Sequence, residues 1–241
     1  MARMPKLSTL SSAAAQRAID RLLRFQIEVP SWGFADTGTR FGKFYQDAAA
    51  VDLADKLADA GATHQYTGIT PTVAVHVLWD FPDGYDPAVG RMARAAGVKV
   101  GSINPNIFQD QCYKFGSITN RDPAIRARAL GHILDSIEIA RRTRSRYISL
   151  WVADGTNYPG QADIRQRKAL ATAALRTAHD ALGRGKTLLI EYKPFEPGCY
   201  FTDFFDWGSS YIYAKAAGRQ AKVLVDTGHH LHGTNIEQIV A

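Results

Sequence analysis

The sequence lacks the features that mark secreted, membrane-bound or disulfide-stabilised proteins. Its two cysteines, Cys112 and Cys199, are far apart and form no CxxC pair, so neither a disulfide framework nor a thiolate metal site is supported. We expect both to be free thiols in a reducing cytosol. The N-terminal segment has no continuous apolar core like that of a signal peptide, and no later segment offers about 20 uninterrupted apolar residues for a membrane span. The sequence therefore predicts a soluble, cytoplasmic protein.

Two common enzyme signatures are also missing. The loop after the first predicted strand reads SWGFADTG, which is not the GxGxxG of a dinucleotide-binding fold. The histidines, cysteines and serines form no convincing pair of nucleophile and base, so covalent catalysis is disfavoured. The net charge is +6, but only the run from Arg141 to Arg146 is dense in basic residues. We interpret that run as the solvated end of a helix rather than as a nucleic-acid patch.

The 241 residues, 46% of them hydrophobic, are enough to bury a large core, and no shift in composition divides the chain. We therefore expect one domain over residues 1–241, with a helical extension over residues 1–24. Strand and helix patterns alternate in six units. Predicted strands cover 25–30, 72–79, 98–103, 147–151, 187–191 and 222–226. Predicted helices cover 12–23, 47–59 with Gly61 ending it, the segment after Asp86-Pro87, 122–139, 162–182, 207–217 and the segment from Asn235.

This alternation is typical of a (β/α)8 TIM barrel, which needs two more units than the chain contains. The chain stops at Ala241, inside the sixth predicted helix. We expect a barrel with about six of its units present, truncated at the C-terminus. An open, six-stranded doubly wound sheet is the alternative.

Three apolar runs each end on a residue that can bind a metal or a sugar: VAVH at His76, LLIE at Glu191 and VLVD at Asp226. Because the carboxyl ends of barrel strands meet on one face, these residues are expected to share a pocket. Asp226 with His229, and Glu191 from the preceding strand, suit a divalent ion of intermediate hardness such as manganese, cobalt or zinc. In the alternative interpretation, Asp226 only caps the following turn beside a surface histidine.

Lys193 and His76 are the candidates for catalytic side chains. Lys193 comes two residues after Glu191, so in an extended segment it would point the same way and could stabilise an oxyanion. Alternatively, Lys193 only pairs with Glu191 or Glu196. His76 closes an apolar run and therefore needs a polar partner, in the core or in the site.

Tryptophans are the candidates for sugar contacts. Trp32 and Trp151 lie just after or at the ends of predicted strands, where an aromatic face could shield the C–H face of a sugar. Trp207 lies on a predicted helix and is expected in the core or an interface. Trp79 completes the set of four.

Longer motifs resemble the L-rhamnose isomerase family, in the branch whose members also interconvert other aldoses and ketoses. They are VPSWGFADTGTRFGKF, FGSITNRDP, LWVADGTNYPGQ, EYKPFEPGCYFTDFFDWGSSY and VLVDTGHHLHGTNIEQI. The similarity extends from about Phe25 to the end of the chain. It implies a xylose-isomerase-like (β/α)8 barrel, a homotetramer, two divalent ions that are usually manganese, and conversion of L-rhamnose to L-rhamnulose.

The resemblance also implies roles for individual residues. By this resemblance, Glu191 and Asp226 would bind a structural ion, and His229 would bind a catalytic ion. Lys193 would lie near the first oxygen of the substrate, and His76 would contact the sugar. Trp32 and Trp151 would form aromatic walls around it. The family's remaining ligands, a later His, an Asp-x-Asp pair and a further Asp, would lie beyond Ala241. We therefore expect these 241 residues alone to be inactive and poorly soluble, and the full-length gene product to be the isomerase.

Two other functions are also compatible with the sequence. One is a metal-dependent phosphodiesterase acting on damaged DNA, which the basic pI of 9.3 would suit. The other is a non-catalytic sugar-binding barrel. For the preferred isomerase the partner is a small sugar, with neither nucleic acid nor membrane. The preferred sugar, the choice among Mn, Co, Zn and Mg, and a hydride shift or an enediol route also stay open.

Overall fold

The computed structural model describes residues 12–36, 45–194 and 201–241. Its strands are β1 (Glu28–Pro30), β2 (Thr72–His76), β3 (Lys99–Asn104), β4 (Tyr147–Trp151), β5 (Gly155–Thr156), β6 (Thr187–Glu191), β7 (Phe201–Thr202) and β8 (Ala221–Leu224). Cys199, Glu196 and residues 37–44 of the loop after β1 lie outside the described residues.

Six of these strands form one parallel sheet in the order β1-β2-β3-β4-β6-β8, and β5 and β7 form a separate antiparallel ribbon. The order of the large sheet follows the chain without reversal. A doubly wound sheet reverses direction at a switch point, so this order excludes the open-sheet alternative. The chain therefore has the α/β fold of a (β/α)8 barrel with six of its strands, and within the described ranges β1 and β8 each pair on one side only.

The helices are α1 (Ser12–Leu23), α2 (Leu53–Thr67), α3 (Val77–Asp80), α4 (Val89–Ala95), α5 (Pro123–Arg142), α6 (Ile164–Ala181), α7 (Trp207–Ala217) and α8 (Ile236–Val240). After α1, helices alternate with the strands of the large sheet. Contacts join α2 to α4, α5 to α6 and α6 to α7. Aspartates cap the N-termini of four of them, as helix starts require: Asp52, Asp122, Asp163 and Asp206.

The predicted bounds of α1, β4, β6 and α7 are confirmed residue for residue. The helix predicted from Asp122 is also confirmed, and it extends three residues further, to Arg142. The dense basic run therefore begins on its last turn. There Arg141 and Arg142 pair with Glu138 at 3.0 and 3.1 Å, on the solvated surface that the sequence predicted.

Three strands are shorter than predicted. β1 begins at Glu28, and β8 ends at Leu224, two residues before Asp226. β2 ends at His76 rather than at Trp79, because the chain turns there into the helical turn α3. The backbone N–H of His76 donates to the carboxylate of Asp80 at 2.7 Å, so a side chain in α3 takes the hydrogen bond that a longer strand would have used.

The predicted role of Gly61 is wrong. Gly61 lies inside α2, and the helix ends at Gly68, which adopts the left-handed conformation with φ of 71°. A Cβ at position 61 would lie 2.2 Å from the carbonyl oxygen of Ala96, just after α4. Glycine is therefore needed here for the close approach of two helices, not for a turn.

The core lies between the sheet and the helices. Strand residues that face the helices are fully buried, together with the core-facing aliphatic residues of α5 and α6: Val73, Val75, Ile103, Ile148, Leu150, Leu188, Ile190, Ile133, Ile137 and Leu175. No residue of α1 is buried. Cys112 is a free, half-buried thiol. In the described part of the chain, none of the helices is long and apolar enough to cross a membrane.

Replacing Gly61 with alanine tests the close approach of α2 and α4. Alanine is favoured over glycine by about 1 kcal/mol within a helix. Overpacking against the Ala96 carbonyl costs about 1–3 kcal/mol. We therefore expect Gly61→Ala to lower the free energy of unfolding measured by urea denaturation. Gly131→Ala in α5 is the matched control, since a Cβ there meets nothing within 4 Å, and it should stabilise the protein. Equal stabilisation by both substitutions would contradict the packing argument.

Candidate metal centre

Two carboxylates and an imidazole meet at the carboxyl ends of β6 and β8. Glu191, Asp226 and His229 each offer a ligand atom, and these atoms lie within 4.8 Å of one another. Nδ1 of His229 is 3.2 Å from Oε1 of Glu191 and 3.4 Å from Oδ2 of Asp226. The parallel pairing of β6 with β8 brings these residues together, as the sequence predicted.

A tight turn after β8 aims His229 at the two carboxylates. Oδ1 of Asp226 accepts a hydrogen bond from the N–H of Gly228 at 2.7 Å, and the backbone oxygen of Asp226 accepts one from the N–H of His229 at 3.1 Å. The capping role considered for Asp226 is therefore present. It does not compete with the cluster, because Oδ1 caps the turn while Oδ2 faces the imidazole. Nδ1 of His229 also lies 3.0 Å from the backbone oxygen of Tyr192.

The cluster suits a divalent cation. Ligand atoms about 3.0–3.4 Å apart are what an ion with bonds of about 2.1 Å to nitrogen and oxygen requires between neighbouring ligands. The side chains of His229, Glu191 and Asp226 are 10%, 18% and 35% exposed, so an ion can reach them from solvent. Two adjacent carboxylates are themselves tolerated only beside a cation or a proton. The residues present therefore fit a metal site.

Beside this cluster, aromatic rings follow the ends of β1 to β4. We call Trp32, His76, Trp79, Phe108 and Trp151 the aromatic row. His76 stacks on Trp79 with ring centroids 3.7 Å apart. Trp32 meets the edge of His76 at 5.7 Å. At the other end, Phe108 lies 6.4 Å from Trp79 and 4.5 Å from Trp151. The row is therefore continuous from the first strand to the fourth.

Trp151 joins the aromatic row to the cluster. It is the register partner of Glu191, and residues paired across parallel strands project from the same face of the sheet. Nζ of Lys193 lies 4.6 Å from the centroid of the Trp151 ring, a cation–π distance. The Lys193 backbone N–H donates to the backbone oxygen of Phe204 at 2.9 Å. Lys193 is thus buried where the aromatic row and the cluster meet.

His76 is held as a neutral imidazole. Burial, and after it the charges of His132 and Lys56, lower the pKa of His76 to about 3. Among the described residues, neither its Nδ1 nor Nε1 of Trp151 has a hydrogen-bond partner, although both atoms are buried. An unpartnered buried polar atom costs roughly 1–3 kcal/mol. The indole N–H of Trp79, in contrast, donates to Gln109 at 2.7 Å.

The sequence analysis missed Phe108, and it counted Trp79 among the candidate tryptophans without giving it a role. Trp79 is three residues after His76, so the two rings share one side of the helical turn α3, and a strand prediction ending at His76 would have shown this. Phe108 lies in the loop after β3, where no pattern marks it. Trp207, expected in the core or an interface, is 43% exposed and not in the core. It lines a cavity of about 1050 Å³ that also reaches His229.

Further buried polar contacts connect the loops around the site. We call Ser117, Thr119, Asp154, Arg167 and Asp203 the loop brace. Asp154 is fully buried, which raises its pKa, and it accepts hydrogen bonds from the N–H and hydroxyl groups of both Ser117 and Thr119 at 2.6–2.8 Å. Oγ1 of Thr119 also lies 3.0 Å from Oδ2 of Asp203, and Asp203 pairs with Arg167 at 2.8 Å. The loops after β3 and β4 and the segment after β7 are therefore joined.

Comparison with known proteins gives sequence similarity to sugar isomerases. No family model matches the chain. A probable sugar isomerase of Rhizobium meliloti is 34% identical over 244 residues, which cover 97% of this chain and 56% of that protein. The chain spans about half the length of the curated relatives it matches. The sequence similarity is to sugar isomerases in general, and it does not single out L-rhamnose isomerase among them.

Solved structures confirm the fold. The chain is similar to a D-psicose 3-epimerase crystallised in the presence of D-fructose, with a TM-score of 0.59 and 14% identity over 84% of this chain and 63% of the epimerase. It is also similar to the IolI protein with a bound zinc atom, with a TM-score of 0.60 and 12% identity over 88% of this chain and 67% of that one. At such low identity the likeness concerns the barrel architecture, and it confirms the predicted fold class.

Acidification should reveal the buried neutral state of His76. The unfolded chain binds a proton at this residue below a pH of about 6.5, whereas the folded chain does so only near pH 3. Stability contributed by neutral His76 is therefore present above pH 6.5 and is lost as the pH falls, by up to about 1.4 kcal/mol per pH unit. We expect the free energy of unfolding to fall less steeply between pH 6.5 and pH 4 in His76→Phe than in wild type. Parallel pH profiles of the two proteins would contradict the assignment.

Proposed function

We propose that the chain contributes part of the active site of a metal-dependent aldose–ketose isomerase, and that the preferred reaction converts L-rhamnose to L-rhamnulose. The observation that carries this proposal is the junction of two groups of side chains at one end of the sheet. A cluster of two carboxylates and an imidazole adjoins a continuous row of aromatic rings, with Lys193 between them. A sugar that lay along the rings would present its oxygens to the cluster.

Glu191, Asp226 and His229 would hold the divalent ion. Manganese is the ion proposed first, with cobalt, zinc and magnesium as alternatives for this donor set. When bound, such an ion supplies a Lewis acid that polarises the carbonyl and the adjacent hydroxyl of an open-chain sugar. The division of these residues between a structural and a catalytic ion stays a prediction, since all three lie in one cluster.

Lys193 and His76 would act on the sugar itself. The ammonium of Lys193 would offset negative charge that builds on the first oxygen of the substrate while hydrogen moves between the first two carbons. Its burial against Trp151 strengthens this interaction, because little water screens it. His76 is neutral at physiological pH. Its Nδ1, which has no hydrogen-bond partner among the described residues, can therefore form a hydrogen bond with a sugar hydroxyl while the imidazole stays uncharged.

The aromatic walls would fix the orientation of the sugar. Trp32 and Trp151 stand at the two ends of the aromatic row and can cover the C–H faces of the substrate. Nε1 of Trp151 is buried without a partner among the described residues, so a sugar hydroxyl would supply the missing hydrogen bond. Open-chain sugars carry both C–H faces, which can pack on the aromatic rings, and hydroxyls, which can accept the hydrogen bond from Trp151.

The similarity to a probable sugar isomerase supports the reaction class. Because the chain spans about half of that relative, the activity is assigned to the whole protein. A single barrel domain that includes residues 1–241, a cytoplasmic location and a homotetrameric assembly belong to the same proposal.

Removal of one ligand tests the metal centre. We expect Glu191→Gln and Asp226→Asn each to weaken Mn²⁺ affinity by about tenfold or more, as titrated by electron paramagnetic resonance, because each removes one anionic ligand from a three-residue set. Glu138→Gln on the exposed surface of α5 is the matched control and should keep the wild-type affinity. In the full-length gene product, both ligand variants should also lose conversion of L-rhamnose to the ketose.

The same measurements separate the alternatives. Wild-type Mn²⁺ affinity in both ligand variants would contradict the metal centre, and sugar binding without bound metal would indicate a sugar-binding barrel. Salt-sensitive DNA binding and cleavage without isomerisation would favour the phosphodiesterase. Exchange at the third carbon of a ketose, with no aldose formed, would replace the proposed reaction by epimerisation.

Lys193→Met tests the role of the lysine. Methionine keeps most of the apolar volume beside Trp151 but removes the charge, so we expect turnover of L-rhamnose to fall by about 10²-fold or more while the Mn²⁺ content stays at the wild-type level. The control is Lys193→Arg, which keeps the positive charge and should retain more activity. Equal losses of turnover and metal content in Lys193→Met would show that the lysine is structural.

A further inference from the structure

Below the aromatic row lies a buried ion pair that the proposed chemistry does not use. Asp80, the last residue of α3, has a side chain with 0% exposure, and Nζ of Lys56 from α2 lies 2.8 Å from its Oδ1. The Lys56 side chain is 4% exposed. Replacing such a buried pair with apolar residues is often neutral or stabilising. Stability is therefore a weak reason for an ion pair at this position.

The second oxygen of Asp80 contacts the ends of two strands. Oδ2 accepts a hydrogen bond from the Ser31 hydroxyl at 2.5 Å and from the backbone N–H of His76 at 2.7 Å. Ser31 directly follows β1, and His76 is the last residue of β2. Nζ of Lys56 also donates to the backbone oxygen of Trp79 at 3.3 Å.

Each of these contacts is made at or beside a ring of the aromatic row. Ser31 precedes Trp32, and the other two contacts are to the backbone of His76 and Trp79 themselves. The three rings touch one another, with His76 stacked on Trp79 and Trp32 set edge-on to Trp79 at 6.1 Å. Stacked and edge-on ring pairs have preferred geometries. Hydrogen bonds that hold the backbone beside these rings therefore bear on how the rings meet.

We propose that Asp80 is a positioning residue for the aromatic row. Its carboxylate, paired with Lys56, connects the end of β1 to the end of β2 and so fixes Trp32, His76 and Trp79 relative to one another. The inference rests on the proposed function only in taking the aromatic row as the surface that receives the sugar. Asp80 does not touch the substrate. It acts through the backbone of residues that do.

Two double variants separate positioning from charge. Lys56→Met with Asp80→Asn removes both charges but keeps an acceptor oxygen for Ser31 and His76, whereas Lys56→Met with Asp80→Leu removes the acceptor as well. In the full-length protein we expect the leucine variant to raise KM for the aldose about tenfold or more, because misplaced groups bind the sugar poorly. Its Mn²⁺ affinity should stay at the wild-type value and its kcat should change less than KM. The asparagine variant should remain close to wild type in all three.

A spectrum that needs no substrate completes the test. Trp32 and Trp79 lie 6.1 Å apart, close enough for their near-ultraviolet circular dichroism to report their relative orientation. Of the two double variants, we expect only the leucine variant to change this band. Ser31→Ala leaves the ion pair in place and removes one hydrogen bond to Asp80. It should produce a smaller change of the same kind, and it decides the question if the double variants do not fold. Arg167→Met with Asp203→Leu is the matched control, because it removes another buried ion pair and should leave this band unchanged.

The outcomes separate the two proposals. If the wild-type protein isomerises no aldose, the proposed function fails, while the tryptophan band still decides whether Asp80 positions the rings. If the wild-type protein is active but the leucine and Ser31→Ala variants keep its spectrum and its KM, the role of Asp80 is overturned. Equal effects of the asparagine and leucine variants would also overturn it, because they would show that charge rather than hydrogen-bond acceptance matters.

Discussion

The register between β4 and β6 is the constraint on which the rest of the site depends. It pairs Trp151 with Glu191, so the last ring of the aromatic row and the first carboxylate of the cluster project from the same face, one strand apart. A shift of this register by one residue would turn one of the two side chains to the helix layer. The pairing of β6 with β8 then brings the turn that carries Asp226 and His229 to the same edge. Parallel strands in chain order therefore determine which residues can meet.

Carboxylates that are wholly or partly buried in the described residues are stabilised in three different ways. Asp80 and Asp203 each face a basic side chain, Lys56 and Arg167 respectively. Asp154 is surrounded by hydrogen-bond donors from two neighbouring residues of one loop, and burial raises its pKa. In the cluster, two carboxylates approach a single imidazole and remain partly exposed to solvent. Two carboxylates that lie this close to each other repel, and a bound cation would relieve that repulsion.

The sequence was most informative where local signals and tertiary structure agree. β4, β6 and α7 begin and end as predicted, since apolar strands flanked by glycine or charge and an aspartate N-cap are local features. The convergence of Glu191, Asp226 and His229 followed from a topological rule about strand ends. Gly61 and the end of β2 were predicted wrongly because each depends on a distant partner, the carbonyl of Ala96 in one case and a buried carboxylate in the other. Phe108 carries no local signal, since a loop residue joins an aromatic row only through packing.

The loop brace has a consequence for how such a protein can diversify. Because the backbone N–H of Thr119 donates to Asp154, its hydroxyl lies 3.0 Å from Asp203, and Arg167 holds Asp203 from α6, three separate segments share one set of polar contacts. An insertion in any one of them would strain the other two. Grafting a single loop from a homologue is therefore expected to destabilise the fold more than a coordinated exchange of all three segments, so substitutions in these loops would be strongly epistatic.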